Sequence, residues 1–285
     1  MFNKHFQVID GVRIHYVDEG SGPPFLLVHG QPTWSYLYRK MIPMLVAAGY
    51  RCVAPDLMGF GLSDKPTNES AYTLRRHVEL VTRLVETLQL KAVTIVGQDW
   101  GGPISLRYAI DHQDNVESLV ILNTMVRRRP IPLLFTLVFQ NGGLSSFLIR
   151  RLDLFRKIAF RSGWPFRRPV EASILKQYRM PHLDAASRAG IAASPKMIPG
   201  NSRHPNAGYI SEIDTVLQTW DVPVLVMFSD GDIAFKIAEG QRIADMVPTG
   251  RFQVIQNAGH YLQEDAGEEI AQHMVTFLRD GTKAS

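Results

Sequence analysis

The residues of this chain best suited to chemistry stand immediately after apolar, β-branched runs. Asp99 follows the run 92–96 inside KAVTIVGQDWGG, where Gly97, Gly101 and Gly102 let the backbone turn sharply and pass close to its neighbours. Three other turns share that placement: His29-Gly30-Gln31-Pro32, Ser229-Asp230-Gly231-Asp232 and Asn257-Ala258-Gly259-His260. A carboxylate at such a turn is a weak acyl-transfer nucleophile. By in-line attack, however, it can displace a leaving group from a saturated carbon and leave an ester on the protein itself. An imidazole and further carboxylates at neighbouring strand ends are groups of the kind that transfer protons.

Strands and helices must position those turns. FQVIDGVRIHYVDEG reads as two short strands about Asp10-Gly11, a dipeptide suited to a tight hairpin. Ser21-Gly22-Pro23-Pro24 breaks the chain before a strand over 25–28. Apolar residues then recur at helical spacing over 36–48, closed by Gly49, and a strand over 51–54 leads into the loop PDLMGFGLSDKP. Leu74, Val78, Val81, Leu84, Val85 and Leu88 predict a long amphipathic helix over 73–90. With a helix over 104–110 and a strand over 116–122, the first 123 residues alternate as a doubly wound, mostly parallel α/β sheet does. From about Arg127 to Pro205 no parallel strand is predicted, and short helical periodicities rich in Arg, Phe, Leu and Pro suggest an inserted helical cap. Alternation resumes with helices over 209–219, 235–246 and 264–279 and strands over 222–228 and 251–256. The predicted division is a core of residues 1–126 and 206–285 with a cap of residues 127–205.

G-x-D-x-G around Asp99 is the nucleophile elbow of the α/β-hydrolases with aspartate in place of serine, and nucleophile, acid and histidine follow one another in that fold's order. HGQPTWSYLYRK, PDLMGFGLSDKP, GQDWGGPIS and NAGHYLQED, spaced over almost the whole chain, resemble the haloalkane dehalogenases. The resemblance implies the α/β-hydrolase fold, with a mostly parallel eight-stranded sheet flanked by helices and an inserted helical cap. It implies hydrolysis of carbon–halogen bonds to alcohol, halide and a proton, with no cofactor and no metal. Residue by residue, Asp99 matches the nucleophile that becomes the alkyl ester. His260 matches the base that activates water against the ester carbon, with backbone N–H groups of Trp100 and Gln31 for the oxyanion. Asp232 in SDGDIAF matches the acid that orients His260, while Asp230 takes a variable, exposed slot. Other dehalogenases carry a glutamate after the strand before the cap, where this chain has Asn123, which cannot be an anion.

For the halide, Trp100 matches one donor through its indole nitrogen. The region 144–199 resembles most the subfamily that pairs this tryptophan with an asparagine after His-Gly. Here that position is Gln31, which keeps the amide and adds a methylene. Another subfamily draws its second donor from a cap tryptophan. Trp164 lies past that segment and reads as packing or pocket wall. Two rival readings share the framework. An epoxide hydrolase uses the same Asp-His-acid set but needs cap tyrosines, for which Tyr178 is a candidate, and a ligand-binding protein can retain the fold alone. His29 and Asp56 read as structural, the latter bracing its loop, and Trp34, Phe60, Phe135, Phe139 and Phe147 as core or pocket.

Composition agrees with a globular enzyme: 285 residues, 45% hydrophobic and 20% charged. Cys52 alone cannot form an internal disulfide, and no apolar run reaches the length of a bilayer span, so a cytoplasmic protein with no membrane partner is expected. The net charge of +4 is uneven: residues 127–168 hold nine arginines and one lysine against one aspartate, or +9, leaving −5 elsewhere. Without a nucleic-acid motif, this reads as a solvated arginine-rich face or an oligomer contact and not as a nucleic-acid site. The expected partners are a small halogenated hydrocarbon, water and halide, with self-association plausible on the arginine-rich cap.

Overall fold

Asp10 and Gly11 both take positive φ (46° and 77°), the conformation of a tight two-residue turn, and join β1 (His5–Ile9) to β2 (Val12–Glu19) as a hairpin. The remaining strands are β3 (Pro24–Val28), β4 (Arg51–Pro55), β5 (Val93–Asp99), β6 (Val116–Thr124), β7 (Val224–Ser229) and β8 (Gly250–Ile255). They form one eight-stranded sheet in the order β1-β2-β4-β3-β5-β6-β7-β8, with β1 and β2 antiparallel and β3 to β8 parallel. The computed structural model describes residues 2–160 and 165–281.

Helices cover both faces, which is why the central strands are buried almost throughout. On one face α1 (Met41–Ala47) packs with the final helix over Val96, Val120 and Met227. On the other lie α2 (Leu74–Thr87), capped by Thr73 through a 3.1 Å bond from Arg76 N, and α3 (Gly101–Asp111). The predicted helix over 36–48 is divided into a 3₁₀ turn, Ser35–Tyr38, and α1. Pro43 lacks an N–H and is tolerated only in a first turn, so α1 begins two residues before it.

Between β6 and β7 the described residues hold only helices and turns: α4 (Leu133–Phe135), α5 (Gly142–Ser146), α6 (Leu154–Ala159), α7 (Ala172–Arg179), α8 (Ala189–Ala193) and α9 (Asn206–Leu217). Ion pairs tie this stretch together and to the sheet layers. Asp153 is shared by Arg156 and Arg188, Glu69 takes Lys196 and Arg150, and Arg127 pairs with Glu239. Several of the arginines expected on a solvated face are therefore internal connectors. After β7 come α10 (Ile237–Met246) and α11 (Leu262–Gly281), the latter broken at Ala266 (φ −137°). No helix of the described residues is long and apolar enough to cross a membrane.

The chain leaves β3 for β4 on one side and then returns to place β5 on the other. In an open parallel sheet such a reversal opens a crevice at the carboxyl ends of the strands. The four chemistry-bearing turns all lie along that edge.

Candidate active site

Asp99 ends β5 with φ of 51°, a left-handed conformation that costs an aspartate of order 1–3 kcal/mol unless its surroundings hold it. They do so closely. A Cβ on Gly30 would overlap Asp99 itself, and one on Gly102 would overlap Thr124, whose Oγ1 donates to the Asp99 carbonyl at 2.6 Å. The side chain is thus forced out of the strand toward the crevice, with Oδ1 accepting the Gln31 backbone N–H at 2.8 Å. Burial pushes the Asp99 carboxyl above the ordinary carboxylate range, against the opposing pull of His260 and of the Trp100 and Gln31 N–H groups. A carboxylate so poorly solvated is a stronger nucleophile than one in water.

His260 follows β8 and faces Asp99, Nε2 lying 3.9 Å from Oδ2. Its Nδ1 lies 2.8 Å from Asp232 Oδ2, and the other oxygen of Asp232 accepts the Ala234 N–H at 2.7 Å. Burial disfavours a charged imidazole, but the adjoining Asp232 carboxylate outweighs it, so the His260 pKa is raised above its usual value. Asp230 instead accepts the Ala258 N–H at 3.2 Å and is exposed, so it supports the loop that carries His260 without touching the ring.

Gln31 is buried, and its Oε1 has no hydrogen-bond partner. Trp100, next to Asp99 in the sequence, is buried at the head of α3. Among the described residues neither the Gln31 side-chain amide nor the Trp100 indole N–H is engaged in a hydrogen bond, which leaves two donors uncommitted. Tyr178 is committed: its hydroxyl donates to Glu264 at 2.6 Å and accepts from Arg39 at 3.3 Å, in a buried cluster where Arg39 grips both Glu264 oxygens. Trp164 lies outside the described residues.

Several supports carry no local signal as strong as those of Asp99, Asp232 and His260. Asn123 donates to Ser229 Oγ at 2.7 Å and to Gly259 O at 3.2 Å, and accepts from Ser229 N at 2.9 Å. Gln98 donates to His260 O at 3.2 Å, and Asp265 accepts N–H groups from Gly259, Arg167 and Arg168. A carboxamide in the otherwise apolar β5, directly before Asp99, was the available clue to Gln98. Phe235 stacks on His260 (5.7 Å, 21°), and the Arg129 guanidinium sits 4.6 Å from the centre of the Phe235 ring while donating to Ala234 O at 2.6 Å. Nothing in the local pattern of either residue announces that column. His29 and Asp56 are structural as expected. His29 Nε2 accepts the Leu57 N–H at 2.9 Å, and Asp56 takes N–H groups of Ser35 and Leu62 as well as the His15 ring. Phe147 is exposed and Phe139 packs on the core, so neither description of the cap aromatics covers both.

The family model of the α/β-hydrolase fold matches residues 23–267. A haloalkane dehalogenase of Psychrobacter cryohalolentis is 34% identical over 293 residues, which covers 99% of this chain and 94% of that protein. Haloalkane dehalogenase 1 of Mycobacterium tuberculosis is 39% identical over 267 residues, 90% of this chain and 83% of that protein. The crystal structure of the haloalkane dehalogenase DatA from Agrobacterium tumefaciens superposes with a TM-score of 0.88 at 27% identity, covering 98% of this chain and 96% of that one. Sheet order, the aspartate elbow and these relatives agree: the chain belongs to the haloalkane dehalogenases, on the α/β-hydrolase fold.

Proposed function

We propose that Asp99, His260 and Asp232 hydrolyse a carbon–halogen bond in two steps, with Trp100 and Gln31 receiving the halide. An Asp99 oxygen attacks the carbon bearing the halogen. A carbon–oxygen bond forms as the carbon–halogen bond breaks, and the electron pair leaves with the halide toward the Trp100 indole N–H and the Gln31 amide. His260 then takes a proton from water, whose oxygen adds to the ester carbon. The oxyanion so formed faces the backbone N–H groups of Gln31 and Trp100, the first of which already donates to Asp99 at 2.8 Å. Collapse releases the alcohol with the proton from His260, and the restored carboxyl loses its own proton to solvent. Asp232 holds the ring and stabilises its charged form.

The observation that carries this reading is the series Asp232, His260 and Asp99, at 2.8 and 3.9 Å, with the Gln31 backbone N–H on the Asp99 carboxyl. At 3.9 Å Nε2 faces the Asp99 carboxyl from beyond hydrogen-bond distance, as deprotonation of a water directed at the ester carbon requires. The segment 127–205 would serve as the cap that closes the crevice above the core of 1–126 and 206–285. A buried, unreactive Cys52, its thiol pushed up to about 12 by burial, fits a reducing cytoplasm. The epoxide reading loses support because the only tyrosine of residues 127–205, Tyr178, already gives its proton to Glu264.

Halide release from 1-iodobutane or 1,2-dibromoethane is the direct test, with diol formation from styrene oxide as the competing outcome. In His260→Gln the first step should proceed and the second stop, so intact-protein mass spectrometry should find the alkyl group retained on Asp99. An unmodified mass after incubation with substrate would remove the ester from the scheme.

A further inference from the structure

The outer face of the helical segment between β6 and α6 joins apolar and basic groups in a way the proposed reaction does not use. The run Leu133–Gln140 exposes Leu133, Leu134 and Leu137, the first two at 73% each, and their spacing places them on one helical face. The next run, Gly142–Arg151, exposes Leu144, Phe147 and Arg151 opposite its buried Ser145 and Ile149, and Leu152 extends the apolar strip. Both runs rest on the stretch Ala189–Met197. Arg128, Arg151 and Lys157, in the same stretch of chain and each within five residues of Leu133 or Leu152, are exposed and, among the described residues, have no ion pair or hydrogen bond from their side chains. Residues 127–152 contain no acid, and Asp153 is buried between Arg156 and Arg188.

We propose that this face docks on an anionic lipid surface. Charge selects the occupant. A second copy meeting the same face would oppose like charges, and a neutral apolar partner would strip water from three cations without replacing it. An interfacial bilayer accepts leucine and phenylalanine side chains below the headgroups and cations among them. Docking of this kind is distinct from spanning, so the lack of a spanning segment in the sequence does not bear on it. It also gives access to the phase in which apolar small molecules concentrate.

Co-sedimentation of the full chain with vesicles of phosphatidylcholine, alone or mixed with phosphatidylglycerol, tests the assignment. Binding should require phosphatidylglycerol and be reversed by salt. The triple change Arg128→Gln, Arg151→Gln, Lys157→Gln should weaken it by about 10²-fold, at roughly fivefold per cation. Leu133→Asp with Leu134→Asp should abolish it, and circular dichroism should show both variants folded. Equal binding to both vesicle types, binding to neither, or full binding by a folded variant overturns the proposal. Concentration-dependent oligomers that the Leu133→Asp, Leu134→Asp protein loses would assign the face to a second copy instead and overturn it equally.

Discussion

Gln31→Leu should make the protein more stable and less active at once. The Gln31 side chain is 6% exposed and its Oε1 is buried with no partner. A buried acceptor left unbonded costs about 1–3 kcal/mol, and leucine removes it while filling a similar volume. A gain of about 1–2 kcal/mol is therefore expected, read as a melting temperature higher by roughly 2–4 °C for each kcal/mol in a protein near this size. The same substitution deletes the side-chain N–H assigned to the leaving halide. Loss of one preorganised donor to a developing anion typically costs about 10²–10³-fold, so single-turnover halide release should fall by about 10²-fold. The backbone N–H that donates to Asp99 survives the change, so hydrolysis of an ester already formed should be nearly unaffected. Gln31→Asn, which keeps the donor, should stay within about tenfold of the parent, because one donor is retained at altered reach. Thermal melts and rapid-quench halide measurement on the three proteins are sufficient. A leucine variant that releases halide at the parental rate refutes the donor role, and one that melts lower refutes the account of the orphaned oxygen.

Arg129→Met removes the cation stacked on Phe235 beside His260, a charge that opposes protonation of the ring. The His260 pKa, already raised by Asp232, should rise further, moving the acidic limb of ester hydrolysis to higher pH, while Arg129→Lys should move it less; a pH profile of single-turnover hydrolysis reads this. His77 is buried and held down to about 4 by burial, so the unfolded chain binds its proton near pH 6.5 while the fold resists until about 4. Its contribution is intact above about pH 6.5 and is lost as pH falls toward 4, by up to about 3 kcal/mol; urea titrations should show His77→Phe to be less acid-sensitive than the parent. Gly102→Ala drives a Cβ into Thr124 and through it disturbs Asp99, so a loss of about 1–3 kcal/mol and of most halide release is expected, while Gly208→Ala, in open space on α9, should be neutral or stabilising.

The sheet, and the meeting of Asp99, Asp232 and His260 at one edge of it, were legible because each depends on short-range signals. Apolar runs of strand length ended in turns, and Asp99, Asp232 and His260 each stood directly after one. Helix limits were less so. Pro43 moved the start of α1, and Ala266 interrupts α11 beside Gly267, a single glycine that the helical periodicity over 264–279 outweighs. Asp265, one residue earlier, bonds three N–H groups there, two of them from Arg167 and Arg168, and tertiary demands of that kind leave no trace in a hydrophobic pattern. The helical stretch between β6 and β7 was visible only as an absence of strand character. Its ion pairs reach beyond it, as from Lys196 to Glu69, which no window along the chain can connect. The Arg129–Phe235–His260 column escaped notice for the same reason.

Asn123 has a consequence for how such a protein can diverge. It is the penultimate residue of β6, the last strand before the long insertion, and its partners Ser229 and Gly259 come after that insertion. One amide thus sews the two halves of the sheet edge together at the point where the chain departs from it. Stitched there, the edge that holds Asp99 and His260 is insulated from the length and folding of everything between, and the intervening segment can be trimmed, extended or exchanged while those two residues keep their distance.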